Sequence, residues 1–235
     1  MTVNPKEFWE NKILGWESGR YDNRPKASSF LEKIANRSSN SLRFRMDVAG
    51  QLLKRHVTAK HVVEVGCGSA LLAEKIIAMG AASYTGYDFA ESAISQAQKR
   101  VTESGFSERI RLMVKSVDQL ANLQADIVFS LGLLDWLNDE ELKNLFRSSG
   151  AADYLHAIAE KRLGLSQFFH RIYIHLAYGY RTIYYIPRYY DVSQLKDLIN
   201  QFKTNELHVY RNHKLSFAAL ISSLPISGQS KNHDG

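Results

Sequence analysis

The stretch that most constrains this chain is His61-Val62-Val63-Glu64-Val65-Gly66-Cys67-Gly68-Ser69-Ala70. An apolar run, Val62-Val63-Val65, ends in two glycines one residue apart. A helical pattern follows at once, with Leu72, Ile76 and Met79 on one face and Gly80 placed to end it. The order is strand, tight turn, helix. Glycine gives such a turn backbone angles closed to other residues and lets a ligand lie against bare main chain. The helix start presents unpaired N–H groups and partial positive charge to a carboxylate or phosphate. Tyr84-Thr85-Gly86-Tyr87 reads as a second short strand. It ends in Asp88, 20 residues after Gly68, the offset at which open α/β sites hold a ribose diol. A dinucleotide loop would carry Gly or Ala where Leu71 stands.

The strands and helices continue to alternate. Ala93, Ile94, Ala97 and Val101 mark a second helix, Ile110 to Val114 a third strand and Asp126 to Ser130 a fourth. Asn138 with Glu141 forms a capping box before Leu142, Leu145 and Phe146. Asp153 to Ala159 is a fifth strand. This spacing predicts parallel β-α-β units. The end differs: Asp191 to Phe202 is a capped helix, and Glu206 to Tyr210 and Leu215 to Ser222 are strands joined by a short turn, hence antiparallel. The expected fold is a Rossmann-like α/β domain. Its seven-stranded, mostly parallel sheet ends in an antiparallel hairpin, with helices on both faces. Three divisions follow: an N-terminal helical lid segment over 1–57, the domain over 58–222 with an aromatic, basic insertion at about 161–190, and a disordered tail over 223–235.

Glu64-Val65-Gly66-Cys67-Gly68 resembles motif I of the class I S-adenosylmethionine-dependent methyltransferases, and the match extends over about residues 55 to 222. The resemblance implies a cofactor site of Glu64, Gly66, Cys67 and Gly68 at the turn, with Asp88 on the ribose hydroxyls and Phe89 along the adenosine. Leu131, in Ser130-Leu131-Gly132, lines the methyl-donor pocket. The third motif departs from the family pattern: Ser116 stands where an acid is frequent, so the adenine contact is left open among Ser116, the Val117 main chain and Asp118. Arg20 and Tyr21 in the pre-domain segment are expected near the amino-acid end of the cofactor. S-adenosylmethionine would be the donor and S-adenosylhomocysteine the product, with no metal required.

An alcohol acceptor needs a base. The polar residues beyond the carboxyl ends of strands four and five, where ligands of such sheets bind, make Asp135 or Glu160 the candidate, with His156 third. The segment Lys161 to Tyr190 holds five Lys/Arg, seven of the twelve tyrosines and no acid. That composition suits an acceptor cap with aromatic faces for a sugar and cations for a phosphate. A net charge of +6 and a pI of about 9.3 favour an anionic partner. The expected acceptor is a small molecule or glycan, sugar-bearing and phosphorylated in one variant, with contact to an anionic membrane surface as a second use of the same segment. Nucleic acid ranks behind these. An RNA methyltransferase, or a non-catalytic protein that keeps the fold to bind cofactor or partner, are the alternatives. The single cysteine, Cys67, rules out an internal disulfide, and the cytoplasm is the expected compartment.

Overall fold

The computed structural model describes Glu10, Ile13 and residues 43–162, 188–215 and 218–225. Seven strands form one sheet: β1 (His61–Val65), β2 (Ser83–Asp88), β3 (Ile110–Val114), β4 (Ile127–Leu131), β5 (Asp153–Ala159), β6 (His208–Tyr210) and β7 (Ala218–Ser222). Their order is β3-β2-β1-β4-β5-β7-β6. Strands β1 to β5 pair in parallel, and β7 runs antiparallel between β5 and β6. The expected parallel sheet with an antiparallel end is therefore present. The order reverses between β1 and β4, so a crevice opens beyond their carboxyl ends.

Helices cover both faces. On one side lie α1 (43–54), α2 (Ala73–Ala78) and α3 (Glu91–Glu103). They bury Ala49, Leu53, Ile76, Ile94 and Ala97 against Val62, Tyr84, Phe129 and Leu155. On the other lie α4 (Asp139–Ser148) and α5 (Val192–Ile199). Their Leu142, Leu145, Phe146, Leu195 and Ile199 meet Val63, Val65, Val128, Tyr154 and Ile158. The strands supply alternate residues to the two cores, as their period of two requires. Helix α1 packs with residues of the first core, so 43–54 is built into the domain. Between β3 and β4 the chain makes only a 3-10 turn, Val117–Gln119. No helix of the described residues is long and apolar enough to cross a membrane.

Two local expectations need correction. Helix α2 does not start at the glycine turn: Ala70 takes a left-handed φ of 53°, which no helix continues, and helical geometry resumes only at Ala73. Leu215 belongs to a 3-10 turn, His213–Leu215, and β7 begins at Ala218. The link between β6 and β7 is thus longer than a tight hairpin turn. Most of the N-terminal segment, most of the aromatic insertion (163–187) and 226–235 lie outside the described residues.

Candidate functional site

The glycine turn leaves β1 with Gly66 at φ 72° and Gly68 at φ 53°, values that favour glycine. The Gly66 and Cys67 N–H groups both donate to the Tyr87 carbonyl oxygen, at 2.7 and 3.1 Å. The Gly68 N–H donates to Asp88 Oδ2 at 2.8 Å. The end of β2 therefore takes the N–H groups of these three residues. Gly86 makes this approach possible. A Cβ there would lie 2.8 Å from Cys67 Sγ and 2.9 Å from Leu112 Cδ2, so the turn and β3 both press on β2 where it has no side chain. Cys67 is buried with its thiol at Gly68 O, 3.6 Å away, which makes it a packing residue of the turn.

Asp88 is buried, and its second oxygen, Oδ1, accepts from the Ala90 N–H at 2.9 Å. Burial pushes its carboxyl above the usual carboxylate range. The N–H bonds from Ala90, Gly68 and Phe89 oppose that shift, and the nearby Glu10 charge adds to it. These three N–H bonds leave part of the carboxylate's acceptor capacity, about four sites over its two oxygens, for a ligand. Phe89, next in the chain, is half-buried. Glu64 lies below the turn: its carboxylate is buried and accepts from the buried Tyr84 hydroxyl. It belongs to the same face as Tyr84, supporting the turn from the α2 side.

After β3, the Ser116 hydroxyl donates to Asp118, and Gln119 Oε1 accepts from the Ser116 N–H at 3.0 Å. Ser116 and Val117 are buried while Asp118 is exposed. The turn is thus self-satisfied and presents main chain at the β3 end. Leu131 closes β4, and Gly132 follows at φ 93°. The next residue, Leu133, packs on Gly66, with its side chain 3.1 Å from where a Gly66 Cβ would stand.

The three candidate bases fall in different surroundings. Asp135 Oδ1 accepts from the Ala159 N–H at 2.7 Å. Burial pushes its carboxyl up to about 6, against the pull of that N–H and of the Arg45 charge. Part of its surface stays exposed. Glu160 is nearly buried between two guanidiniums. Arg211 Nε donates at 2.8 and 3.1 Å, and Arg162 Nε at 2.7 Å. Burial alone would raise its carboxyl, but these bonds outweigh it and hold the group below its usual range. His156 is in the core, its Nδ1 2.9 Å from the Ser130 hydroxyl and its ring stacked on Tyr154. Burial lowers it to about 3, with the Lys203 charge acting in the same direction. It is a buried, neutral imidazole. Arg20 and Tyr21 lie outside the described residues.

Three residues were missed. Arg45 is buried, and its Nε has no hydrogen-bond partner among the described residues. Its Nη2 would stand 2.9 Å from a Cβ on Gly132, so one short loop, Gly132-Leu133, touches Arg45 at one residue and the glycine turn at the next. A signal was available: Arg45 shares the helical stripe of Val48, Ala49, Leu52 and Leu53, where a cation is out of place. Glu10 accepts from the Glu91 and Ser92 N–H groups at 2.8 Å each, and no pattern within the sequence pointed to it. Arg100 donates to the turn itself, to Ser69 O and Ala70 O.

The family model described as "Methyltransferase domain" matches residues 62–152, the span that holds the glycine turn, Asp88 and Asp135. Over that span the chain is similar to this methyltransferase domain. Among curated relatives, this chain resembles ribosomal protein L11 methyltransferase of Aliivibrio salmonicida, 39% identical over 72 residues, covering 31% of this chain and 24% of that protein. The match to the Escherichia coli protein of that name is 35% over 72 residues. The chain thus spans about a quarter of the length of these relatives. Among solved structures, magnesium protoporphyrin IX methyltransferase from Synechocystis PCC 6803 with bound S-adenosylhomocysteine superposes at a TM-score of 0.67 and 15% identity. That overlap covers 92% of this chain and 96% of the other. An O-methyltransferase from neocarzinostatin biosynthesis, in complex with S-adenosylmethionine and 2-hydroxy-5-methyl naphthoic acid, gives 0.55 at 20% identity, over 83% and 60%. At these identities the likeness is one of fold.

The residues of this site fit an S-adenosylmethionine-type ligand. A buried carboxylate with spare lone pairs suits a ribose diol, and a buried guanidinium with an orphan N–H suits the carboxylate of an amino acid. The turn between them has no side chain at Gly66 or Gly68 to fill the space.

Proposed function

We propose that this protein transfers a methyl group from S-adenosylmethionine to a hydroxyl of a small acidic or sugar-bearing acceptor. The observation that carries the reading is the buried Asp88 carboxylate bonded to the Gly68 N–H at 2.8 Å, which joins a ribose acceptor to a turn of bare main chain. Asp88 holds the ribose hydroxyls, Ser116 and the Val117 main chain border the adenine, and Arg45 takes the amino-acid carboxylate. Leu131 and Gly132 form the wall of the methyl-donor pocket. The cofactor supplies a methyl group already activated on a positively charged sulfur. What is left to the protein is alignment, exclusion of water and removal of one proton.

Asp135 is the base in this reading. A carboxyl near 6 is ionised at neutral pH yet binds a proton more readily than an ordinary aspartate, as a general base should. Its Oδ1 is fixed by Ala159, so Oδ2 is the oxygen that takes the acceptor proton. Glu160 has another part: it gathers Arg162 and Arg211, two positive charges on one negative. This balance supports an acceptor with a carboxylate or phosphate. The naphthoic acid bound by the O-methyltransferase of similar fold is of that class.

Isothermal titration with S-adenosylhomocysteine tests the reading. The wild-type protein binds it. Asp88→Asn binds about 10- to 100-fold more weakly, the size expected for weakening one or two hydrogen bonds to a charged group. Absence of binding by the wild type, or an unchanged constant in the variant, would overturn the assignment.

A further inference from the structure

We propose that Arg100 is a positioning residue that sets the shape of the glycine turn for its nucleoside, an inference that rests on the cofactor reading above. Arg100 lies in α3, remote in sequence from the turn. Its Nη2 donates to Ser69 O at 2.9 Å and Ala70 O at 2.8 Å, and its Nε donates to Glu74 Oε1 at 3.1 Å. One planar fork thus holds two successive turn carbonyls and the first turn of α2, a geometry that an ammonium cannot copy.

The turn needs such a brace. Gly66, Gly68 and Ala70 are all left-handed, and alanine pays for that conformation where glycine does not. Ala70 is fully buried, so no water is at hand to satisfy a carbonyl turned the wrong way. On the donor side the turn is tied to β2 by the bonds to Tyr87 O and Asp88 Oδ2. On the acceptor side Arg100 ties it to α3. Helix α3 starts three residues after Asp88 and carries Arg100 in its last turns. A single helix therefore positions the ribose carboxylate at one end and the turn at the other, fixing their separation. Glu74 aligns the guanidinium but makes no bond to the turn carbonyls.

Three variants separate a brace from a general stabiliser. Arg100→Met binds S-adenosylhomocysteine at least 10-fold more weakly by titration calorimetry. Glu74→Gln, which removes only the ion pair, stays within about twofold of the wild type. Cys67, the sole cysteine of the chain, reports on the turn directly. Its reaction with a disulfide reagent speeds up at least fivefold in Arg100→Met at a temperature well below unfolding, and not in Glu74→Gln. If Arg100→Met does not fold, Arg100→Lys carries the test, with intermediate affinity and intermediate thiol reactivity. The proposal is overturned if the Arg100 variant that folds binds within twofold of wild type with an unchanged thiol rate. It is equally overturned if Glu74→Gln loses as much as Arg100→Met. Wild-type protein that fails to bind S-adenosylhomocysteine at all is a different result, one that removes the cofactor reading itself.

Discussion

Asp135 and Glu160 are carboxylates at the ends of adjacent strands, and their surroundings drive them in opposite directions. Asp135 is buried with one N–H bond and is pushed up to about 6; Glu160 is buried with two guanidiniums and is held low. The consequence for stability can be given a sign. Between the ordinary carboxylate range and pH 6, folded Asp135 keeps a proton that the unfolded chain has released, so stability contributed by that proton is lost as pH rises to about 6. His156, lowered to about 3, acts the other way: its contribution is full above about 6.5, the ordinary value, and is lost as pH falls toward 3. Asp135→Asn removes the first effect only. Relative to the wild type it gains urea stability at pH 7 over pH 4, and its acid destabilisation is the steeper; a constant difference across pH would refute the burial of Asp135. Asp88 was legible at this scale because the residues that give it meaning are local: a strand, its end and a glycine pair. The ranking of Asp135, Glu160 and His156 was not, because it depends on neighbours supplied by other elements.

Helix ends show the same division. The start of α4 was readable as Asn138 with Glu141, and the bonds are there: the Glu141 N–H donates to Asn138 Oδ1 and the Asn138 N–H to Glu141 Oε2, at 2.9 Å each. Helix α3 has Ala90 at its N-cap, which can cap nothing. Asp88 accepts the Ala90 N–H, and Glu10, 81 residues before Glu91, accepts the next two. A carboxylate there also suits the helix dipole. The far end of α4 is closed by the buried Lys203, whose Nζ donates to Gly150 O at 2.6 Å, Ala152 O at 2.9 Å and Ser149 O at 3.4 Å. Lys203→Met leaves those carbonyls without a donor, and the expected cost is about 2 to 3 kcal/mol. Urea unfolding measures it; a loss below about 0.5 kcal/mol would show that the carbonyls find water instead.

For the whole molecule, the strand order places the ends of β1, β2, β3 and β4 side by side, so the glycine turn, Asp88, Ser116 and Gly132 stand along one edge of the sheet although they span 67 residues of chain. A ligand that bridges these loops stabilises the fold as a unit. S-adenosylhomocysteine at 100 times its dissociation constant adds about 2.7 kcal/mol, a rise in melting temperature of about 5 to 10 °C for a domain of this size. Calorimetric scans read it, and an unmoved transition at that concentration would mean that the ligand does not favour the folded state. The sequence by itself determined the elements, the parallel sheet with its antiparallel end, the glycine turn and the acid after β2. Periodicity, glycine conformations and caps act over a few residues and leave their mark in the local order of side chains. The tertiary structure alone decided that Arg45 reaches Gly132, that Glu10 and Arg100 brace elements far from them in sequence, and that Asp135, not Glu160, is the candidate base with a raised affinity for protons. Those outcomes come from desolvation and from hydrogen bonds between distant segments, which exist only once the chain has folded.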